Sequence, residues 1–200
     1  PDGEGEQTAP EISRTYDSLN NVLTETDPLE KVTSYEYDAL SRLIERTEPD
    51  PDGAGGLAAP VTTFTYDALN NLLTLTDPDD NTTTWTYDGW NQVQTDTNAL
   101  DDARSFVYDA VGNITKITDR NGLVREFVYD NQNRQTAEKW KDGANVVRTI
   151  SYAYDAASQL TSASDPDAEF AYTYDNLGRV TSVDNDGTPD APHVVLNSTY

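Results

Sequence analysis

The chain has 200 residues with no Cys, no Met and one His, and 13 Lys and Arg stand against 36 Asp and Glu, a net charge of −23. Without Cys there are no disulfides, thiolate nucleophiles or Cys-based metal sites. So acidic a surface repels duplexes and other polyanions, whose binding draws on Lys and Arg, and no apolar run approaches the ~18 residues of a membrane helix.

Only 36% of the residues are hydrophobic, which makes disorder the main competing reading; it is opposed by 10% aromatics at regular intervals. The first aromatic landmark is Tyr16-Asp17, and the pair recurs at Tyr37, Tyr66, Tyr87, Tyr108, Tyr129, Tyr154 and Tyr174. The steps are 21, 29, 21, 21, 21, 25 and 20 residues, and the chain stops at Tyr200, 26 further on. Eight pairs at a nearly fixed period are a tandem repeat. The lack of Met and the stop in mid-repeat lead us to expect a fragment of a longer chain, a single repeat segment over residues 1–200.

Within each repeat the elements follow one order. A strand carries an aromatic two residues before the Tyr: Tyr35, Phe64, Trp85, Phe106, Phe127, Tyr152 and Tyr172, with Arg14 in the first repeat. Spacing two puts both rings on one face of a strand. Three residues after the Tyr come Leu19, Leu40, Leu69, Trp90, Val111 and Leu177, with Gln132 and Ala157 as exceptions. Next come Asn20, Ser41, Asn70, Asn91, Gly112, Asn133, Ser158 and Gly178, a mainly Asn and Gly position that predicts the left-handed corner of a hairpin loop. Val22, Leu43, Leu72, Val93, Ile114, Leu160 and Val180 then open a Thr-rich second strand, as in "NLLTLTD" (residues 71–77). Asp27-Pro28, Glu48-Pro49, Asp77-Pro78 and Asp165-Pro166 end it in the manner of a type I turn.

The longer steps carry insertions in this second turn: "EPDPDGAGGLAAP" (residues 48–60) and "DNDGTPDAP" (residues 184–192). Residues 1–17 match residues 51–67 in their turn, Pro, Thr and Tyr-Asp positions, a shift of 50 that indicates duplication of two repeats together. The sixth repeat fits worst; a hairpin turning at "KDGAN" (residues 141–145) is expected there. No helical periodicity is found.

The eight Tyr-Asp pairs, the Gly/Asn corner, as in "YDNLGRVTSVD" (residues 174–184), and the Asp-Pro turns resemble the RHS, or YD-repeat, family over essentially the whole chain. The resemblance implies an all-β fold in which tandem β-hairpins form a continuous spiralling antiparallel sheet, the wall of a hollow shell or tube. It also implies the family's uses: a cocoon around a toxin domain in bacterial members, and cell-surface adhesion in teneurins. The self-cleaving segment of bacterial toxin members, with its Asp-Pro-Gly, has no counterpart here, so no protease residues are carried over. The Tyr rings are expected to form ladders across the wall. The Tyr hydroxyl and the next Asp are expected to fix the corner by local hydrogen bonds.

Other residues are weighed against plainer readings. His193 has no evident nucleophile and acid around it and is read as structural or superficial. Paired carboxylates are unavoidable among 36 acids and signal no glycosidase. Glu48, Asp50 and Asp52 precede Gly53 like half of a calcium loop, but Ala59 stands where the bidentate Glu belongs. Asp165, Asp167 and Glu169, and Asp184 with Asp186, are shorter clusters of the same kind. Asn81, Asn113 and Asn197 head Asn-X-Thr matches that a Thr- and Asn-rich chain produces freely.

The reading is therefore a non-enzymatic structural scaffold with no catalytic, cofactor or metal residues assigned and no cofactor. Its partners are neighbouring YD repeats of the same chain or identical subunits, with an encapsulated toxin domain as a further candidate, and with no nucleic acid and no membrane insertion in this segment. Its place is extracellular or at the cell surface. The alternative is an adhesion module binding a protein or glycan, against which the Gly, Asp and Pro of the loops speak.

Overall fold

A computed structural model describes residues 11–53, 55–185, 188 and 192–199. The fold is all-β: no helix occurs among these residues. The N-terminal copy of the duplicated turn (residues 1–10), Asp186 and Tyr200 lie outside the described residues.

The chain forms two compact units, Pro1–Asp101 and Asp102–Tyr200. In the first, β1 (Ser13–Tyr16), β2 (Val22–Thr26), β3 (Val32–Tyr37), β4 (Leu43–Thr47), β5 (Val61–Tyr66), β6 (Leu72–Thr76), β7 (Thr82–Tyr87) and β8 (Val93–Thr97) follow one another. Each pairs antiparallel with the next. In the second, β9 (Ala103–Tyr108), β10 (Ile114–Thr118), β11 (Val124–Tyr129), β12 (Gln135–Asp142), β13 (Asn145–Tyr154), β14 (Leu160–Ser164), β15 (Glu169–Tyr174), β16 (Val180–Asp184) and β17 (Val195–Asn197) do the same. The sixth repeat does form the expected hairpin, β12–β13, turning at Gly143.

Strand alternation separates two unlike faces. Through β5 and β6, Phe64 stands opposite Leu75, while Thr63 faces Thr76 and Thr65 faces Thr74 on the other side. Thr74 in turn faces Thr84, and Thr86 faces Thr95. From β5 to β8 one face is thus aromatic and aliphatic; the other is a lawn of Thr whose hydroxyls bond across strands, at 2.6 Å for Thr65–Thr74 and Thr86–Thr95 and 2.8 Å for Thr76–Thr82. Such cross-strand pairs are the unit of sheet stability. Among the described residues no hydrophobic side chain is buried, and Asp96, opposite Trp85, is the one residue that is. The usual two-layer core is absent within each unit.

The ladder is interrupted at a fixed place. In each Tyr-Asp hairpin the register slips by one residue at the Tyr, as between Thr65 and Tyr66, Thr86 and Tyr87, and Val128 and Tyr129. A bulge of this kind strengthens the local twist and leaves a residue unpaired.

Candidate functional site

The feature that recurs with the Tyr-Asp signature is the loop rim at the end of each hairpin. Asp67 shows how one residue organises it. Its backbone N–H donates to Asn71 O at 3.0 Å, and its carbonyl accepts from Asn70 N at 3.3 Å. Its Oδ1 accepts the N–H groups of Leu69 (2.8 Å) and Asn71 (2.9 Å). The same bonds surround Asp17, Asp38, Asp109, Asp130 and Asp175. A short carboxylate can satisfy its own backbone in this way, which is why Asp suits the position. All eight predicted corner residues adopt positive φ, from 59° at Ser41 and Asn133 to 94° at Gly112.

The residue five after the Tyr, which the sequence reading passed over, joins neighbouring loops. Asn71 Nδ2 donates to Asp67 Oδ2 (2.9 Å) and onward to Asn91 Oδ1 of the next repeat (3.1 Å). Asn113 repeats this with Asp109 and Asn133, and Asn21 with Asp17 and Ser41. Arg42 does it with a longer arm: Nε donates to Asp38 Oδ2 (2.7 Å), and an Nη donates to Asp67 O (2.7 Å) and Asn70 Oδ1 (3.1 Å). Its guanidinium lies 4.9 Å from the centre of the Tyr66 ring, and Arg134 over Tyr154 is similar at 4.7 Å. The signal was in the sequence: Asn21, Arg42, Asn71, Gln92, Asn113, Arg134, Gln159 and Arg179 are all long or amide donors at one register.

In four of the repeats the Tyr hydroxyl serves the preceding repeat and not its own corner, contrary to expectation. Tyr87 donates to Leu72 O (2.8 Å), Tyr129 to Ile114 O (2.9 Å), Tyr154 to Gln135 O (2.8 Å) and Tyr174 to Leu160 O (2.8 Å), each in the preceding repeat. The reason is in the ladder. β6 pairs with β7 only from Thr74 onward, so the Leu72 carbonyl lies past the end of the pairing and needs another donor. The Tyr spans the gap where neighbouring hairpins part. For Tyr66 and Tyr154, the ring contact seen is with an Arg of the previous repeat.

The electrostatics follow. Donation from the residue four positions on holds the Asp17, Asp38, Asp67, Asp109, Asp130 and Asp175 carboxyls below the usual aspartate range. Partial burial raises the Tyr37, Tyr87 and Tyr129 hydroxyls. Beyond these bonds the rim presents side chains outward: Leu19, Leu40 and Leu69 are each 65% exposed and Trp90 is 85% exposed. The loops are therefore not merely Gly, Asp and Pro; the second loop position points away from the sheet and is apolar here.

The other weighed residues take ordinary parts. His193 Nε2 lies 2.9 Å from Asp184 Oδ1. Asp50 Oδ1 accepts the N–H groups of Asp52 and Gly53, and Asp52 Oδ2 that of Leu57. Asp165 caps its turn and pairs with Arg148, which also reaches Asp167 at 2.8 Å. Among the described residues no group of three or more His, Cys, Asp or Glu could hold a metal ion. Asn113 is committed to the stitch described above, and Asn81 bonds Asp77 Oδ2 at 3.0 Å.

Comparison with known proteins agrees with this architecture. A crystal structure of TcdB2-TccC3-Cdc42 superposes with a TM-score of 0.72 at 19% identity, covering 91% of this chain and 11% of that one. The Photorhabdus luminescens Tc holotoxin pore with a TccC3 mutation gives 0.69 at 18%, covering 90% and 11%. TcdB2-TccC3 without its hypervariable C-terminal region gives 0.66 at 18%, covering 89% and 12%. The chain thus spans about a tenth of these structures' lengths. A search of curated proteins returned no match. The RHS Repeat model matches residues 154–189, and the Teneurin YD-shell model matches residues 5–147. With most of its length matched, and with Tyr-Asp hairpins as its unit, the chain belongs to the Teneurin YD-shell family.

Proposed function

We propose that this chain is non-enzymatic wall material of a hollow extracellular β-shell or tube. The observation that carries the reading is the inter-repeat stitch: Asn71, Arg42, Tyr87 and their equivalents make bonds that exist only when another repeat lies alongside. A lone hairpin is marginal in water, and stacked repeats gain their stability at the junctions. The partners that complete such a wall are neighbouring YD repeats of the same chain or identical subunits. An encapsulated toxin domain is a further proposed partner, supported by the likeness to TcdB2-TccC3. The net charge of −23 argues against nucleic acid and favours a soluble exterior.

A second reading has one specific observation behind it. The exposed row Leu19, Leu40, Leu69 and Trp90 is the kind of apolar surface an adhesion module presents.

Negative-stain electron microscopy of the native, full-length assembly tests both. Closed particles of one size are the result for a cocoon, and hollow fibres of constant width for a tube. Unshaped chains overturn the wall reading, and compact particles without a lumen favour adhesion.

A further inference from the structure

Arginines in this acidic chain mostly hold carboxylates, as Arg14, Arg42, Arg46, Arg134, Arg148 and Arg179 do. The lysines behave otherwise. Three of the four in the chain, Lys116, Lys139 and Lys141, gather on one face of the second unit. The register brings them together. Lys116 of β10 and Lys139 of β12 both stand opposite Glu126 of β11, in a row that runs from Val107 to Thr149. Lys141 lies two residues beyond Lys139, on the β12–β13 overhang, where β12 runs to eight residues against five in β6 and β13 to ten. From there its Nζ crosses diagonally to Glu126 Oε1 at 2.9 Å. Glu126 is held below the usual glutamate range, first by this hydrogen bond and then by the charges of Lys141, Lys116 and Lys139. Lys116 and Lys139 themselves make no ion pair among the described residues. All three lysines are half-buried, their stems laid along the sheet and their ammonium groups at its surface.

The island thus has a surplus of positive charge in a chain whose net charge is −23. Its two unpaired ammonium groups rise from strands two apart, ~10 Å from each other, with the Glu126 carboxylate between them. One small anion cannot reach both, and a continuous polyanion meets Glu126. The fit is two separate carboxylates ~10 Å apart. The first unit presents such a pair. Asp80 lies in the turn after β6 and Asp101 in the turn after β8, again two strands apart, both in left-handed conformations with φ of 64° and 62°. They line one polar cleft of ≈ 260 Å³ together with Asn81, Thr82, Thr97 and Asn98, and no Lys or Arg lines it. Neither carboxylate is hydrogen-bonded or paired among the described residues. Each patch therefore offers the charge, at the spacing, that the other needs.

We propose that a second copy of this chain docks its Asp80 and Asp101 turns on the Lys116–Lys139 face. The proposal rests on the reading of identical subunits as partners and names the surfaces they use. Because the two patches differ, the contact is head-to-tail, and each copy keeps one free patch for the next.

Sedimentation velocity of the chain is the test. In ~0.1 M salt, repulsion between the two acidic chains is screened beyond ~10 Å while charges in contact are screened less. The expected result there is concentration-dependent association that disappears in ~1 M salt. Lys116→Gln with Lys139→Gln weakens it at least about 10-fold, and so does Asp80→Asn with Asp101→Asn, which keeps residues that tolerate the left-handed conformation. Mixing the two double variants restores association that stops at the dimer, since one supplies the carboxylates and the other the lysines. Monomers at every concentration overturn the proposal; hollow particles under the microscope would be unaffected, so this contact and the wall reading fail separately. Association that survives in the lysine variant, or that strengthens in ~1 M salt, overturns it in favour of an apolar contact. Mixed variants that do not dimerise overturn the head-to-tail pairing. Binding of polyglutamate without self-association overturns it in favour of a different acidic partner.

Discussion

At the Tyr-Asp end of the third repeat, Asp67 and Asn71 close a loop whose backbone bonds match, one for one, those of Asp77 and Asn81 at the opposite end. Both Asp residues cap the N–H groups two and four positions on, and both loops hold a left-handed residue, Asn70 or Asp80. The two ends part company sideways. Asn71 continues to Asn91 of the next repeat, whereas Asn81, among the described residues, reaches no further than Asp77. The lengthened steps fall at the end where sideways bonds are irregular: residues 48–60 and the β12–β13 overhang lie there, and the bonds between turns at that end, Arg148 to Asp165 and Asp167 and Thr188 to Glu169, differ from one place to the next. Even there the closing bond survives, as Glu48 N to Pro60 O (2.8 Å) and Asn185 N to Val194 O (3.3 Å). Loops without a bond repeated in every neighbour lengthen at small entropic cost; loops stitched in register from repeat to repeat cannot lengthen without losing it.

The largest effect that can break this comparison is an insertion. Four Gly-Ser residues placed after Asn70 are expected to lower the thermal midpoint by about 10 °C, and the same insertion after Asp80 by less than about 3 °C. Equal losses in a circular-dichroism melt would remove the distinction between the ends. Asp67→Ala and Asp77→Ala sharpen it. Each frees two backbone N–H groups, but Asp67 also anchors Asn71, the residue that stitches to Asn91, so it is expected to lose about 3–6 °C and Asp77→Ala about half that.

Much of this was legible beforehand. The eight Tyr-Asp pairs gave the hairpin count, and the Asn and Gly corners gave the loop geometry, because both depend on local chemistry that a short window contains. Glu30, Asp80, Asp101 and Gly122 show the limit: they make the second loop a twin of the first, with positive φ, yet Glu and Asp carry no visible mark of it. The stitch and the Tyr hydroxyl were missed because their partners lie 14 to 28 residues away, and a strand pattern says which face a side chain takes, not which carbonyl the ladder leaves without a donor.

Smaller perturbations isolate single bonds. Tyr87→Phe leaves the Leu72 carbonyl without its donor and is expected to cost roughly 1 kcal/mol, about 3 °C. An unchanged midpoint would show that water replaces the hydroxyl there. Acid probes the rim as a set. The six capped carboxyls titrate below their unfolded values, so their contribution is complete above the ordinary aspartate range, ~3.9, and is lost as pH falls through the lowered folded values. The midpoint is expected to hold down to about pH 4 and to fall below it. A midpoint that rises on further acidification would mean that relief of charge repulsion outweighs the caps.

A sheet with no buried hydrophobic side chain among its described residues also has a calorimetric consequence. The heat capacity of unfolding comes from apolar surface newly exposed to water, about 12–15 cal/mol/K per residue in ordinary domains. Here much of that surface is already wet in the folded chain, so the increment is smaller and the stability curve flatter. Such a sheet weakens little on cooling and gives way to heat gradually.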